Sequence, residues 1–120
     1  MSIGIWVGVA LLGGIGALGR FLLDTLISAR AGGFPLGTFV VNITGSLLLG
    51  LLTGLAVEGQ ALLLLGTATL GSYTTFSTWM LETHRLAEDG EVTAATVNIL
   101  LSLTVGVGGA ALGRAIGAQI

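Results

Sequence analysis

The sequence predicts an all-α membrane protein, a single domain over residues 1–120 with four transmembrane helices, the third of them broken. Three observations carry that expectation. The 120 residues are 53% hydrophobic and only 8% charged, with a mean hydropathy of +1.02, whereas an ordinary soluble domain carries roughly a quarter charged residues. Four apolar stretches, 3–28, 34–57, 61–81 and 92–116, reach the length of about 20 residues that a bilayer crossing needs. The 21 glycines and single proline, Pro35, follow no collagen period and suit membrane helices that approach closely through small residues.

The first stretch opens with Met1-Ser2-Ile3-Gly4, which lacks the positive region of a signal peptide, so it is expected to remain as a mature helix. Gly13-Gly14-Ile15-Gly16-Ala17 gives it a thin backbone surface, followed by Arg20 and Asp24 four residues apart. Arg20 near the end of a span can snorkel to the interface or pair with Asp24. It can equally stand at the mouth of an anion pathway. Spacing does not choose among these.

The second stretch follows a break at residues 29–33. Thr38, Asn42 and Ser46 recur every four residues and so share one helix face. They offer amide and hydroxyl donors without fixed charge, either to a polar pathway or to interhelical and local backbone bonds. Gly50 and Gly54 continue the row, and Gly4/Gly8 and Gly109/Gly113 show the same spacing, suited to packing within the chain or between copies.

The third stretch, after Glu58-Gly59-Gln60, contains the most unusual segment. Gly71-Ser72-Tyr73-Thr74-Thr75-Phe76-Ser77-Thr78-Trp79 places four hydroxyls in five positions behind a glycine. Hydroxyls compete for backbone bonds and glycine is flexible, so the helix is expected to break near 71–78. Irregular backbone at membrane depth is tolerated only where protein or a watery path surrounds it. Phe76 and Trp79 share a face if the helix resumes there. They suit core packing, an interfacial belt for Trp79, or an aromatic edge turned toward a small anion.

Residues 82–91 hold five of the ten charged residues and read as a solvated loop. The fourth stretch repeats the four-residue row with Asn98, Ser102 and Gly106. Arg30 and Arg85 fall on one side and Arg114 on the other, with no lysine, so the positive-inside bias is slight. Such a chain either inserts both ways or is oriented by a partner.

Several chemistries are excluded. There is no cysteine and a single histidine, His84, which removes thiol chemistry and leaves no metal-ligand spacing. No catalytic set, phosphate loop or nucleic-acid-binding basic patch is present.

Four motifs together resemble the Fluc (CrcB-like) fluoride channels. Residues 13–21, GGIGALGRF, are similar to the family's GGxxGAxxR; residues 37–46, GTFVVNITGS, to GTxxVNxxGS; residues 74–78 to TTFST; and 98–106 to a fourth-helix run with Ser four residues before Gly. The resemblance covers the whole chain. It implies a passive, fluoride-selective channel of the cell (plasma) membrane that exports fluoride and lowers its cytoplasmic toxicity. It further implies an antiparallel, dual-topology dimer with two pores, formed by a second copy or a homologous subunit. Carried over by position, Asn42, Phe76 and Ser102 line the pore. Thr38, Thr75, Ser77, Thr78 and the second aromatic, Trp79, join them, and Arg20 sits by an aqueous vestibule. The resemblance also implies a central structural sodium ion (Na+) on the backbone carbonyls of Gly71 and Thr74. The chain departs from the family in carrying Trp79 where a second Phe is usual and Ser72 where a second Gly commonly follows Gly71.

Two other readings compete. A small four-helix cation or drug exporter requires a membrane-embedded carboxylate, and Asp24 and Glu58 both fall at predicted helix ends. A non-conducting or assembly subunit uses the same glycine faces but gives no reason for the aligned donors.

Overall fold

The computed structural model describes residues 1–30 and 32–120; Ala31, in the first predicted break, lies outside the described residues. The chain is all-helical, with no strand among the described residues. Helix α1 spans Ile3–Ser28, where Ser2 accepts the Ile5 N–H at 3.3 Å and so caps one of the open first-turn donors. Helix α2 spans Leu36–Gly54 behind Pro35, a residue suited to a helix start because it lacks the N–H that would go unpaired there. The chain then runs through α3, Gly59–Leu62, a π-helical stretch over Leu63–Leu70, and α4, Gly71–Tyr73. Thr74 (φ −80°, ψ 159°) and Thr75 (φ −148°, ψ 121°) are extended. Helix α5 then covers Phe76–Glu88 and α6 Val92–Gln119. Helices α1, α2 and α6 are each long and apolar enough to cross a membrane.

Residues 82–88 are helical, which corrects the expected 82–91 loop. Charges mark the solvated face of a helix as readily as a loop, and the exposed His84 Nε2 faces Glu88 Oε1 at 3.1 Å, one turn on. The stop comes later, at Gly90 with φ +81°. There Glu91 N–H donates to Leu86 C=O at 2.8 Å and Gly90 N–H to Ala87 C=O at 3.1 Å. This is the paired closure that a left-handed residue after a helix allows.

The same closure ends α2, but without a glycine. Val57 N–H donates to Leu52 C=O and Ala56 N–H to Thr53 C=O, each at 3.0 Å. Ala56 holds φ +56°, where its Cβ crowds the backbone. The helix therefore stops three residues short of the predicted end.

Helices α2 and α6 pack along most of their length. A Cβ at Gly50 would overlap the Ala110 carbonyl, one at Gly54 the Arg114 carbonyl, and one at Gly113 the Leu47 carbonyl. These small faces therefore serve packing within the chain. Across the bundle, α1 lies on the π-helical stretch and α4, where Gly16 leaves room for the Thr69 carbonyl. Thr69 Oγ1 donates back five residues, to Leu64 C=O at 2.7 Å, matching the wider π turn.

Candidate functional site

The extended pair Thr74–Thr75 leaves backbone groups that no helix satisfies, and buried backbone polar groups must find partners. Asn42 supplies them from α2. Thr75 N–H donates to Asn42 Oδ1 at 2.8 Å, and Asn42 Nδ2 donates to Thr75 C=O at 2.9 Å. The Thr75 hydroxyl accepts the Thr78 N–H at 3.1 Å and caps α5. Beside this join, Thr44 Oγ1 and Tyr73 Oη lie 2.8 Å apart and hold α2 against α4. The sequence reading did not single out that pair.

Two consequences follow for the carbonyls before the join. In an unbroken α-helix, Thr75 N–H would bond to Gly71 C=O and Thr78 N–H to Thr74 C=O. Here the first donor is committed to Asn42 and the second to the Thr75 hydroxyl. The Gly71 and Thr74 carbonyls thus lack their helical donors, and such oxygens could ligate a hard cation. Among the described residues no cluster of His or carboxylates offers an alternative metal site.

A cavity of about 240 Å³ lies on one side of the join, lined by Arg20, Asp24, Thr38, Thr75 and Thr78 among others. Asp24 Oδ1 accepts the Ser28 hydroxyl at 3.0 Å. Arg20 forms no ion pair with it, since the one ion pair among the described residues is His84–Glu88. Thr38 is 2% exposed, and its hydroxyl faces the part-buried Glu82 carboxylate beside it. Sequence reasoning missed Glu82 by assigning it to a loop; its position seven after Thr75, two turns along α5, was the available signal.

On the other side lies a more open groove of about 740 Å³, bounded by α2, α6 and the segment from Leu62 to Trp79. Asn42, Thr75, Phe76, Trp79 and Ser102 line it, with Gly71 and Thr74, and no charged residue does. Thr75 lines both spaces. The buried Ser102 hydroxyl has no partner, so its proton remains available. Phe76 is 71% exposed and meets the Trp79 ring edge-on, with centroids 5.6 Å apart at 83°.

The predicted residues divide accordingly. Asn42, Thr75, Phe76, Trp79 and Ser102 gather on the groove, and Arg20, Thr38, Thr75 and Thr78 on the cavity. Ser77 lines neither, and its hydroxyl lies 3.4 Å from that of Thr75. Asn98 also turns elsewhere, its Nδ2 donating to Thr83 Oγ1 at 2.9 Å.

Comparison with known proteins matches residues 7–114 to the family described as CrcB-like protein, Camphor Resistance (CrcB). The chain is 52% identical over 114 residues to the fluoride-specific ion channel FluC 2 of Mycolicibacterium paratuberculosis, covering 94% of this chain and 93% of that one. It is 53% identical over 115 residues to the FluC 2 of Mycobacterium tuberculosis, with 95% and 91% coverage. Identity to the fluoride-specific ion channel FluC 1 of Symbiobacterium thermophilum is 47% over 119 residues, with 93% and 96% coverage.

Proposed function

The chain belongs to the CrcB-like family, and from that premise we propose that it is a fluoride-specific ion channel, a passive conductor rather than an enzyme. One structural observation carries the reading beyond relationship. A cavity holding Arg20 and a charge-free groove meet at Thr75, and both present donors from uncharged side chains.

Fluoride is small and tightly hydrated, so a path must replace its water shell with donors of its own. Arg20, in no ion pair among the described residues, offers an anion a cationic contact in the cavity that it shares with Asp24. Ser102 carries a hydroxyl with no other partner and can donate one proton, and the Thr38 hydroxyl lies at the cavity beside Glu82. Asn42 keeps one amide proton beyond its bond to Thr75. The groove offers no full positive charge, so an anion can enter it and leave again. Phe76 adds the positive ring edge of an exposed aromatic. These are the roles we assign to Thr38, Asn42, Thr75, Phe76, Thr78, Trp79 and Ser102, with Ser77 beside them and Arg20 at the vestibule.

We read residues 59–88 as one crossing interrupted at Thr74–Thr75. The open groove suits a second copy, or a homologous subunit, placed antiparallel in the cell membrane. The nearly balanced arginines favour both orientations. A structural sodium ion at the subunit junction would be held by the Gly71 and Thr74 carbonyls, where it would supply a fixed positive centre. The exporter reading finds no carboxylate in the groove; Asp24 and Glu82 lie by the cavity instead.

Purified protein in liposomes should release fluoride, and not chloride, down its gradient when followed with ion-selective electrodes. Equal chloride release, or no fluoride release with or without a homologous subunit, would overturn the proposal. Cysteine pairs across the groove should cross-link only between oppositely oriented copies.

A further inference from the structure

Trp79 is the one pore-side aromatic whose ring carries a hydrogen-bond donor, and that donor is committed. Its Nε1–H donates to the Asn98 backbone carbonyl at 3.2 Å, using the second lone pair of an oxygen that already serves its helix. Asn98 Nδ2 donates to Thr83 Oγ1 at 2.9 Å, and Thr83 Oγ1 donates to the Trp79 carbonyl at 2.8 Å. The three bonds close a circuit between α5 and α6. Its members Asn98 and Thr83 are 1% and 8% exposed, so water does not compete for them. The ring meanwhile borders the groove, edge-on to Phe76.

We propose that Thr83 and Asn98 are positioning residues for fluoride conduction, holding the Trp79 indole so that it presents ring surface rather than its N–H to the groove. This rests on the channel reading above. The circuit draws the N–H into the α5–α6 contact, which leaves a Trp acting as a phenyl-like station beside Phe76. An indole released from this contact would instead swing out of its place beside Phe76 and take the second ring edge away from the groove.

The test uses the full chain with Trp6→Phe, which leaves Trp79 as the single tryptophan. Thr83→Val removes two of the three bonds, and should abolish the near-UV dichroism of Trp79 and lower fluoride efflux by at least about fivefold. Thr83→Ser, which keeps the hydroxyl, should restore both. Against Trp79→Phe, which has no N–H to hold, Thr83→Val should add no further loss of flux. Should Thr83→Val fail to assemble, Thr83→Cys, with its weak donor, takes its place with the same expectations. Unchanged dichroism with unchanged flux, or an equal fractional loss in both backgrounds, would overturn the positioning role. Absence of fluoride efflux from the unsubstituted chain would defeat the channel reading instead, and the dichroism comparison would still decide whether Thr83 orients the indole.

Discussion

The side-chain amide of Asn42 bonds both backbone polar groups of Thr75, accepting its N–H at 2.8 Å and donating to its carbonyl at 2.9 Å. A side chain from α2 thereby stands in for a neighbouring backbone at the point where the chain leaves helical geometry.

Asn42→Leu should therefore destabilise the protein by about 2–4 kcal/mol, because two bonds are lost and two part-buried backbone groups go unpaired. Asn42→Asp keeps the acceptor for Thr75 N–H but sets a carboxylate oxygen against the Thr75 carbonyl, so it should also destabilise. Denaturant unfolding in detergent measures both. Equal stability of Asn42→Leu and the parent would refute the backbone-substitute role.

The committed donors also predict a sodium dependence. Replacing potassium by sodium should raise the Tm of the parent, as any ligand that binds only the folded state does. Thr75→Ala removes the cap on Thr78 N–H and loosens the join that holds the Thr74 carbonyl, so the sodium-dependent rise should shrink; Thr75→Ser should preserve it. An identical rise in all three proteins would remove the Thr74 carbonyl from the site.

Phe76 is exposed in the groove and makes one edge-on aromatic contact. Phe76→Ala should cost only about 1 kcal/mol of stability while lowering fluoride efflux severalfold. Normal flux in a folded Phe76→Ala protein would remove it from the path.

Two glycines on α2 and α6 should behave in opposite ways. Gly50→Val drives a side chain into the Ala110 backbone, which no rotamer change relieves. It should cost about 3 kcal/mol or more, or prevent assembly. Gly108 has open space around it, so Gly108→Ala should stabilise by up to about 1 kcal/mol. Thermal unfolding of the two variants distinguishes packing from mere glycine abundance.

Ala56 carries the left-handed turn that closes α2. Ala56→Gly relieves its Cβ strain and should stabilise by about 0.5–1 kcal/mol with no change in flux. A loss of stability would indicate that chain entropy outweighs the strain.

Much of the architecture was legible because it rests on local chemistry. Hydrophobic length announced α1, α2 and α6 to within a few residues, and the hydroxyl run marked where the chain turns extended. The four-residue rows placed Thr38, Asn42 and Ser46 on one face. Less legible was the charged segment after Leu81, because charges on the outer face of a helix look like a loop when no partner is visible. Glu82 was passed over for that reason, although its place two turns after Thr75 on one helix face was a signal. The Arg20–Asp24 spacing left a pair and an anion-pathway role both open; Asp24 accepts the Ser28 hydroxyl, and Arg20, unpaired among the described residues, stays at the cavity.

By itself the sequence determined that this protein is a helical membrane protein and which residues carry uncharged donors. Composition and spacing settle these because they act within one or two turns. Only the tertiary structure decided which donors are free. Asn42 finds Thr75 across 33 residues, Asn98 finds Thr83 across 15 and Thr38 meets Glu82, whereas Ser102 finds no one. A hydrogen bond depends on the partner that packing brings within about 3 Å, and no local pattern records that.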